Sequence, residues 1–250
     1  MKTTSRTIFG LALTLAIIPL SGYAQTSHSI SFDDSATGLR HGSKFNGSEY
    51  SSLGPGVTFN VDSNGDHDQL IIFDTNKSGT ADPDLESPFA GGNLKGHSKL
   101  GNALIIAENI LDRDRNGLVD SPDDEGRGGT IGVVFGNSLV QSVGFSLYDT
   151  PETPSAKVSI VFKDARGKSV TWAPSDLIAN GSNVKFANHY GNHFSDISAE
   201  GIGLSNIQSI DFNIESGAID NLTFQTIPEP SSAALIGLSA CGFLLRRRRA

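Results

Sequence analysis

Between Asp112 and Asp123 the chain reads Asp112-Arg113-Asp114-Arg115-Asn116-Gly117-Leu118-Val119-Asp120-Ser121-Pro122-Asp123. Oxygen-bearing side chains fall at positions 1, 3, 5, 9 and 12 of an EF-hand-type loop, with glycine at 6 and an apolar residue at 8. Alternate residues of such a tight loop aim their oxygens at one point, and a hard divalent cation takes roughly six to eight of them. The spacing therefore predicts a calcium site built by Asp112, Asp114, Asn116, the Leu118 carbonyl, Asp120 and Asp123. Two features depart from a helix-flanked EF-hand. Position 12 is Asp123 rather than the longer glutamate, and Pro122 with the run Glu125 to Gly129 forbids an exit helix. Asp124 or Glu125 is placed to supply the missing oxygen. The competing reading is a solvated turn, which Asp and Asn favour without any ion.

Two weaker cation candidates precede this loop. Asp62, Asn64, Asp66 and Asp68 stand on alternate residues, and Asp74, Asn76, Asp82 and Asp84 lie in a second aspartate-rich loop whose position 12 is Leu85. Asp220, at the opening of the last apolar run, is a further candidate by analogy with sugar-binding β-sandwiches that hold a structural calcium.

Catalytic signatures are scarce. The sequence has no Gly-x-Ser-x-Gly elbow, no P-loop and no His-Glu-x-x-His. His189 and His193 are four apart, but Gly191 between them argues for a loop rather than a zinc-binding helix. The expectation is a protein that is not an enzyme. The alternative is an extracellular glycan-active hydrolase using a carboxylate pair drawn from Asp66, Asp68, Glu86 and Glu108.

The elements that must position these residues are strands. Short β-branched or aromatic runs are separated by Gly, Ser, Asn and Asp every several residues. The runs are Ile30 to Phe32, Val57 to Val61, Leu70 to Phe73, Ala103 to Ala107, Thr130 to Phe135, Val140 to Tyr148, Val158 to Phe162, Ser169 to Trp172, Ile210 to Ile214 and Ala218 to Phe224. One helical turn is predicted at Pro174 to Ile178. The pattern predicts an all-β chain, an antiparallel β-sandwich of jelly-roll type. Trp172 is read as core, with a sugar-stacking face as its alternative.

The two ends carry a different message. Lys2 and Arg6 precede the apolar stretch Ile8 to Leu20, and Gly22-Tyr23-Ala24 is a small-residue cleavage site, so residues 1–24 read as a secretory signal peptide. At the other end, Pro228-Glu229-Pro230 is followed by an apolar run over residues 233–245 and then by Arg246, Arg247, Arg248 and Arg249. A run apolar on every side suits lipid, and the arginines set its orientation with the tail end cytoplasmic.

This three-part tail resembles the PEP-CTERM sorting signal of exopolysaccharide-producing Gram-negative bacteria. The resemblance covers Pro228 to Arg249, within a tail of residues 227–250, and implies that Pro228, Glu229 and Pro230 are recognised by an exosortase after the export machinery has delivered the chain. It further implies a short transmembrane sorting helix that anchors the chain transiently in the inner membrane. Processing then sends it to the cell surface or extracellular matrix, with the exopolysaccharide of the biofilm matrix as a candidate partner.

Residues 25–226 are left as one domain. Without Lys2, Arg6, the four terminal arginines and Glu229, the 19 basic and 27 acidic residues become 13 and 26, a net charge of −13. Such a surface repels nucleic acid and favours cations. The single cysteine, Cys241, lies in the tail, so no disulfide holds the domain. Its stability must come from its core, from metal, or from both.

Overall fold

A computed structural model describes residues 25–136, 139–151 and 158–227 of the chain. Residues 1–24, read above as a signal peptide, and the tail from Pro228 onward lie outside the described residues.

The described chain is mostly strand: β1 (Thr26–Ile30), β2 (Lys44–Phe45), β3 (Val57–Ser63), β4 (Leu70–Asp74), β5 (Asn102–Ile106), β6 (Gly129–Phe135), β7 (Leu139–Tyr148), β8 (Ser159–Lys163), β9 (Ser169–Trp172), β10 (Gly191–Ser198), β11 (Ser209–Ile214) and β12 (Ala218–Ile227). One helix, α1 (Pro174–Asn180), fills the predicted place, and the Asp176 carboxylate accepts the Ala173 N–H at its start (2.9 Å).

The strands form two antiparallel sheets. One has seven strands in the order β10-β7-β12-β5-β4-β2, with β1 also on β12. The other has five, in the order β3-β6-β11-β8-β9. One edge of β12 is shared, since Ala218 and Ile219 pair with β5 while Leu222 to Thr226 pair with β1. Ile227 closes the ladder opposite Leu139, so the strand runs one residue into the segment assigned to the tail.

The two sheets share one core. Phe145 of β7 meets Phe212 of β11 edge-on at 4.9 Å, and Phe135 of β6 meets Phe224 of β12 at 5.0 Å. Burying a side chain of this size contributes roughly 1.5–3 kcal/mol.

The sheets differ on their outer faces. In the five-stranded sheet β8 and β11 alternate buried and half-exposed residues, as a sheet with one solvated face should. In the seven-stranded sheet β4 and β5 are buried almost continuously. Leu70, Ile72, Leu104 and Ile106 face the shared core, while Ile71, Phe73, Ala103, Ile105 and Ala107 enter a second cluster with Leu85, Phe89, Val119 and Tyr148. The cover is therefore made by the β4–β5 and β5–β6 connections, the acidic stretch of the sequence.

Two strands escape the sequence pattern. β2 is two residues long, and β10 hides Phe194 and Ile197 among Asn192, His193, Ser195 and Asp196. The first strand also lies earlier than predicted. It ends at Ile30, and Phe32 takes a left-handed φ of 56° beyond it.

Candidate metal centres

The Asp112 loop folds around its own carboxylates. Asp112 accepts the backbone N–H groups of Asn116 (3.0 Å) and Gly117 (2.9 Å), and Asp114 accepts Asn116 N–H (3.1 Å) and its amide Nδ2 (2.8 Å). Asn116 Oδ1 accepts Leu118 N–H (2.8 Å), and Asp120 accepts Arg113 N–H (2.8 Å). Gly117, at φ 86°, makes the sharp turn that brings these groups together. One oxygen each from Asp112, Asp114 and Asp120 lies within 4.8 Å of the others.

The loop is docked at its far side. Leu118 bridges Ser43, and Val119 N–H donates to the Gly42 carbonyl (2.8 Å). Gly42 sits at φ 83°, where an added Cβ would stand 2.5 Å from the Val119 carbonyl oxygen. Asp114, Asn116 and Asp120 are exposed and Asp112 is half-buried.

Asp123, the twelfth residue of the pattern, faces elsewhere. Its carboxylate groups with those of Asp82 and Asp124, again with one oxygen each within 4.8 Å of the others. Asp82 comes from the β4–β5 connection, immediately before a 3₁₀ turn (Pro83–Leu85), whose Asp84 and Leu85 N–H groups donate to its Oδ1 (3.2 and 3.3 Å). Asp123 and Asp124 come from the β5–β6 connection, anchored by a bridge between Ala107 and Asp124. Asp124 also accepts from Ser216 Oγ (2.8 Å) and from Gly217 N–H, at the entry to β12. Asp149, at the end of β7, stands behind, accepting His189 N–H (2.5 Å) and sharing Ser216 Oγ (3.4 Å) with Asp124.

This second group is largely out of water, with Asp123 half-buried. Asp82 is 7% exposed, Asp124 9% and Asp149 4%. Burial pushes the Asp82 carboxyl well above the usual carboxylate range, and the charges of Asp124, Asp149 and Asp123 add to the effect. Burial also raises Asp123, helped by the neighbouring Glu108, and raises Asp149 to about 7, with Asp124 and Asp84 contributing. Among the described residues the ion pairs are Arg127–Asp66 and Lys163–Asp211, and neither reaches this group.

The remaining candidates are dispersed. Asp62 lies in β3 opposite Thr130, Asp68 accepts Ser63 N–H (2.8 Å), and Asp66 makes the exposed ion pair with Arg127 (3.9 Å). Asn64 donates to the Arg127 carbonyl (3.0 Å). Asp74 accepts Asn76 N–H (3.0 Å), and Ser87 Oγ donates to Asn76 Oδ1 (3.3 Å), which leaves both outside the Asp82 group. Asp84 is half-buried and acts on Asp149 by its charge. Asp220 is buried in β12 with its Oδ2 accepting Tyr148 OH and Asn221 Nδ2, each at 2.9 Å.

The carboxylates weighed for hydrolysis each have contacts of their own. Thr80 donates to Glu86 through its N–H and hydroxyl, and Glu108 is exposed beside Asp123. The histidines are apart in role: His189 Nε2 lies 2.9 Å from the Glu86 carbonyl and His193 Nδ1 3.0 Å from Ser146 Oγ.

Asp149 escaped the sequence reading, and Asp124 entered it only as a spare oxygen for the Asp112 loop. The available signal was the uninterrupted apolar character of β4 and β5, which requires a covering layer and therefore loops folded back over the sheet. No family model matches this chain, and no curated protein matches it in sequence.

Proposed function

We propose that this chain is an exported, calcium-binding, non-catalytic protein of the cell surface or exopolysaccharide matrix, cut from its tail by an exosortase at Pro228-Glu229-Pro230. The observation that carries the calcium reading is the convergence of Asp112, Asp114 and Asp120 within 4.8 Å on a loop with EF-hand-type spacing. The signal-like residues 1–24, the three-part tail and the net charge of −13 in between support export into a calcium-containing environment. The strand orders β5-β12-β7-β10 and β6-β11-β8-β9 support the jelly-roll reading, with the remaining strands extending the sheets.

Trp172 offers a candidate glycan contact. It is half-buried on the edge strand β9 against Phe162 (5.3 Å). It lines a groove of about 360 Å³ with Val170, Asp196 and Ile202. An aromatic face at a groove suits the C–H face of a pyranose.

Thermal unfolding of the chain in calcium, in magnesium and in chelator tests the proposal. Calcium at about 100 times its dissociation constant adds roughly 2.7 kcal/mol per site. Asp112→Ala combined with Asp114→Ala should remove part of the calcium-specific rise in Tm. A rise identical to that of the unmutated chain would exclude this loop as a calcium site.

A further inference from the structure

Among the described residues Asp82 Oδ2 has no hydrogen-bond partner, although the residue is more than nine-tenths buried. A buried polar atom is ordinarily satisfied, and a carboxylate oxygen left without a donor is costly. The groups acting on it are acceptors of its own sign: Asp124, Asp149 and Asp123. Like charges held within 4.8 Å of one another repel, and no lysine or arginine among the described residues pairs with this group. The donors that are present are committed elsewhere. Ser216 Oγ and Gly217 N–H serve Asp124, the Asp84 and Leu85 N–H groups serve Asp82 Oδ1, and His189 N–H serves Asp149. The feature that this arrangement lacks is a positive charge at its centre.

We infer that Asp82, Asp123 and Asp124 form a second, largely buried divalent-cation centre, with Asp149 linked to it through the Ser216 hydroxyl that it shares with Asp124. The donor set is all oxygen and mostly anionic, which selects a hard cation of the calcium class over zinc or copper. Among the described residues no imidazole nitrogen joins the group, and His189 Nε2 lies against the Glu86 carbonyl.

The centre differs from the Asp112 loop in construction. Its ligands come from the β4–β5 and β5–β6 connections, and its supports from the end of β7 and the entry to β12. A bound ion joins the two covering segments to the seven-stranded sheet, beside Leu85 and Tyr148 of the second hydrophobic cluster. Asp82 and Asp123 thereby leave the two separate loops to which their spacing assigns them. The inference shares with the proposed function only the premise that the chain meets calcium, since this centre can fill whether or not the Asp112 loop does.

Equilibrium dialysis of the full chain against calcium, with a magnesium arm, tests it. Asp82→Asn keeps the shape and the acceptor for Asp84 and Leu85 but removes the charge, and should bind one calcium ion fewer per chain than the parent. The Asp112→Ala, Asp114→Ala chain separately reports the exposed loop, so failure of that reading is distinguishable from failure of this one. Should Asp82→Asn not fold, hydrogen exchange of the unmutated chain decides. Calcium should slow exchange at Asp84, Leu85 and Gly217 if the centre fills. Unchanged stoichiometry in a folded Asp82→Asn chain, or unchanged exchange at those three amides, would overturn the inference.

Discussion

The Asp112 loop and the Asp82 centre are built from the same side chain, yet they stand in opposite positions toward water. In the loop each carboxylate accepts N–H groups of the same short segment, and the outer oxygens are solvated. An empty loop of this kind costs little, because water and local N–H groups satisfy it. In the Asp82 centre the carboxylates are gathered from distant segments, Asp82 and Asp124 are buried with Asp123 half-buried, and Asp82 Oδ2 has no donor among the described residues. An empty centre there is expensive. The exposed site is thus suited to respond to calcium, whereas the buried one is suited to need it.

That contrast can be sharpened by disturbing the exposed site alone. Gly42→Ala places a Cβ 2.5 Å from the Val119 carbonyl at a left-handed φ of 83°. The left-handed strain alone costs about 1–2 kcal/mol, and for a domain of this size Tm falls by about 2–4 °C per kcal/mol. The variant should lose calcium affinity at the Asp112 loop while calcium still protects the amides of Asp84 and Leu85. Loss of protection at both places would mean that the two sites are one cooperative unit.

A smaller effect is expected from pH. Burial and the charge of Lys77 lower the His41 imidazole from 6.5 to about 4, and its Nδ1 accepts Asp74 N–H (3.0 Å) beside the Gly42 dock. A base whose folded pKa is depressed contributes stability that is present above pH 6.5 and is lost as pH falls toward 4. In chelator, the Tm of the unmutated chain should fall relative to that of His41→Gln across this range. The half-exposed position of His41 keeps the effect modest. Parallel pH profiles for the two proteins would show that protonation of His41 is not what loosens the dock.

The sandwich was largely legible because its information is local. Alternation in β8 and β11 and the apolar runs of β4, β5 and β7 each announce a strand within a few residues. β10 was missed because its polar residues outnumber the apolar ones that face the core, and β2 because two residues carry no period. The same distinction divides the two sites. Asp112, Asp114 and Asp120 converge within one loop, so their spacing is a fair guide to their geometry. Asp82 and Asp124 meet only after the connections fold back over β4 and β5, and nothing in their spacing encodes that return. Asp123 shows the limit of spacing directly, since it fits position 12 of one loop and its carboxylate joins the other group.

The account turns on whether the buried carboxylates oppose folding until a cation joins them, and the sign of one Tm difference decides it. Asp82→Asn and the unmutated chain are compared by thermal unfolding at neutral pH, first in chelator and then in calcium. A carboxyl raised by one pKa unit in the folded state costs about 1.4 kcal/mol at a pH where it would otherwise be ionised. The account predicts that Asp82→Asn melts higher than the unmutated chain in chelator and gains less from calcium. A variant that melts lower in chelator while keeping the full calcium gain would contradict it, and would make Asp82 an ordinary cap of the Pro83–Leu85 turn.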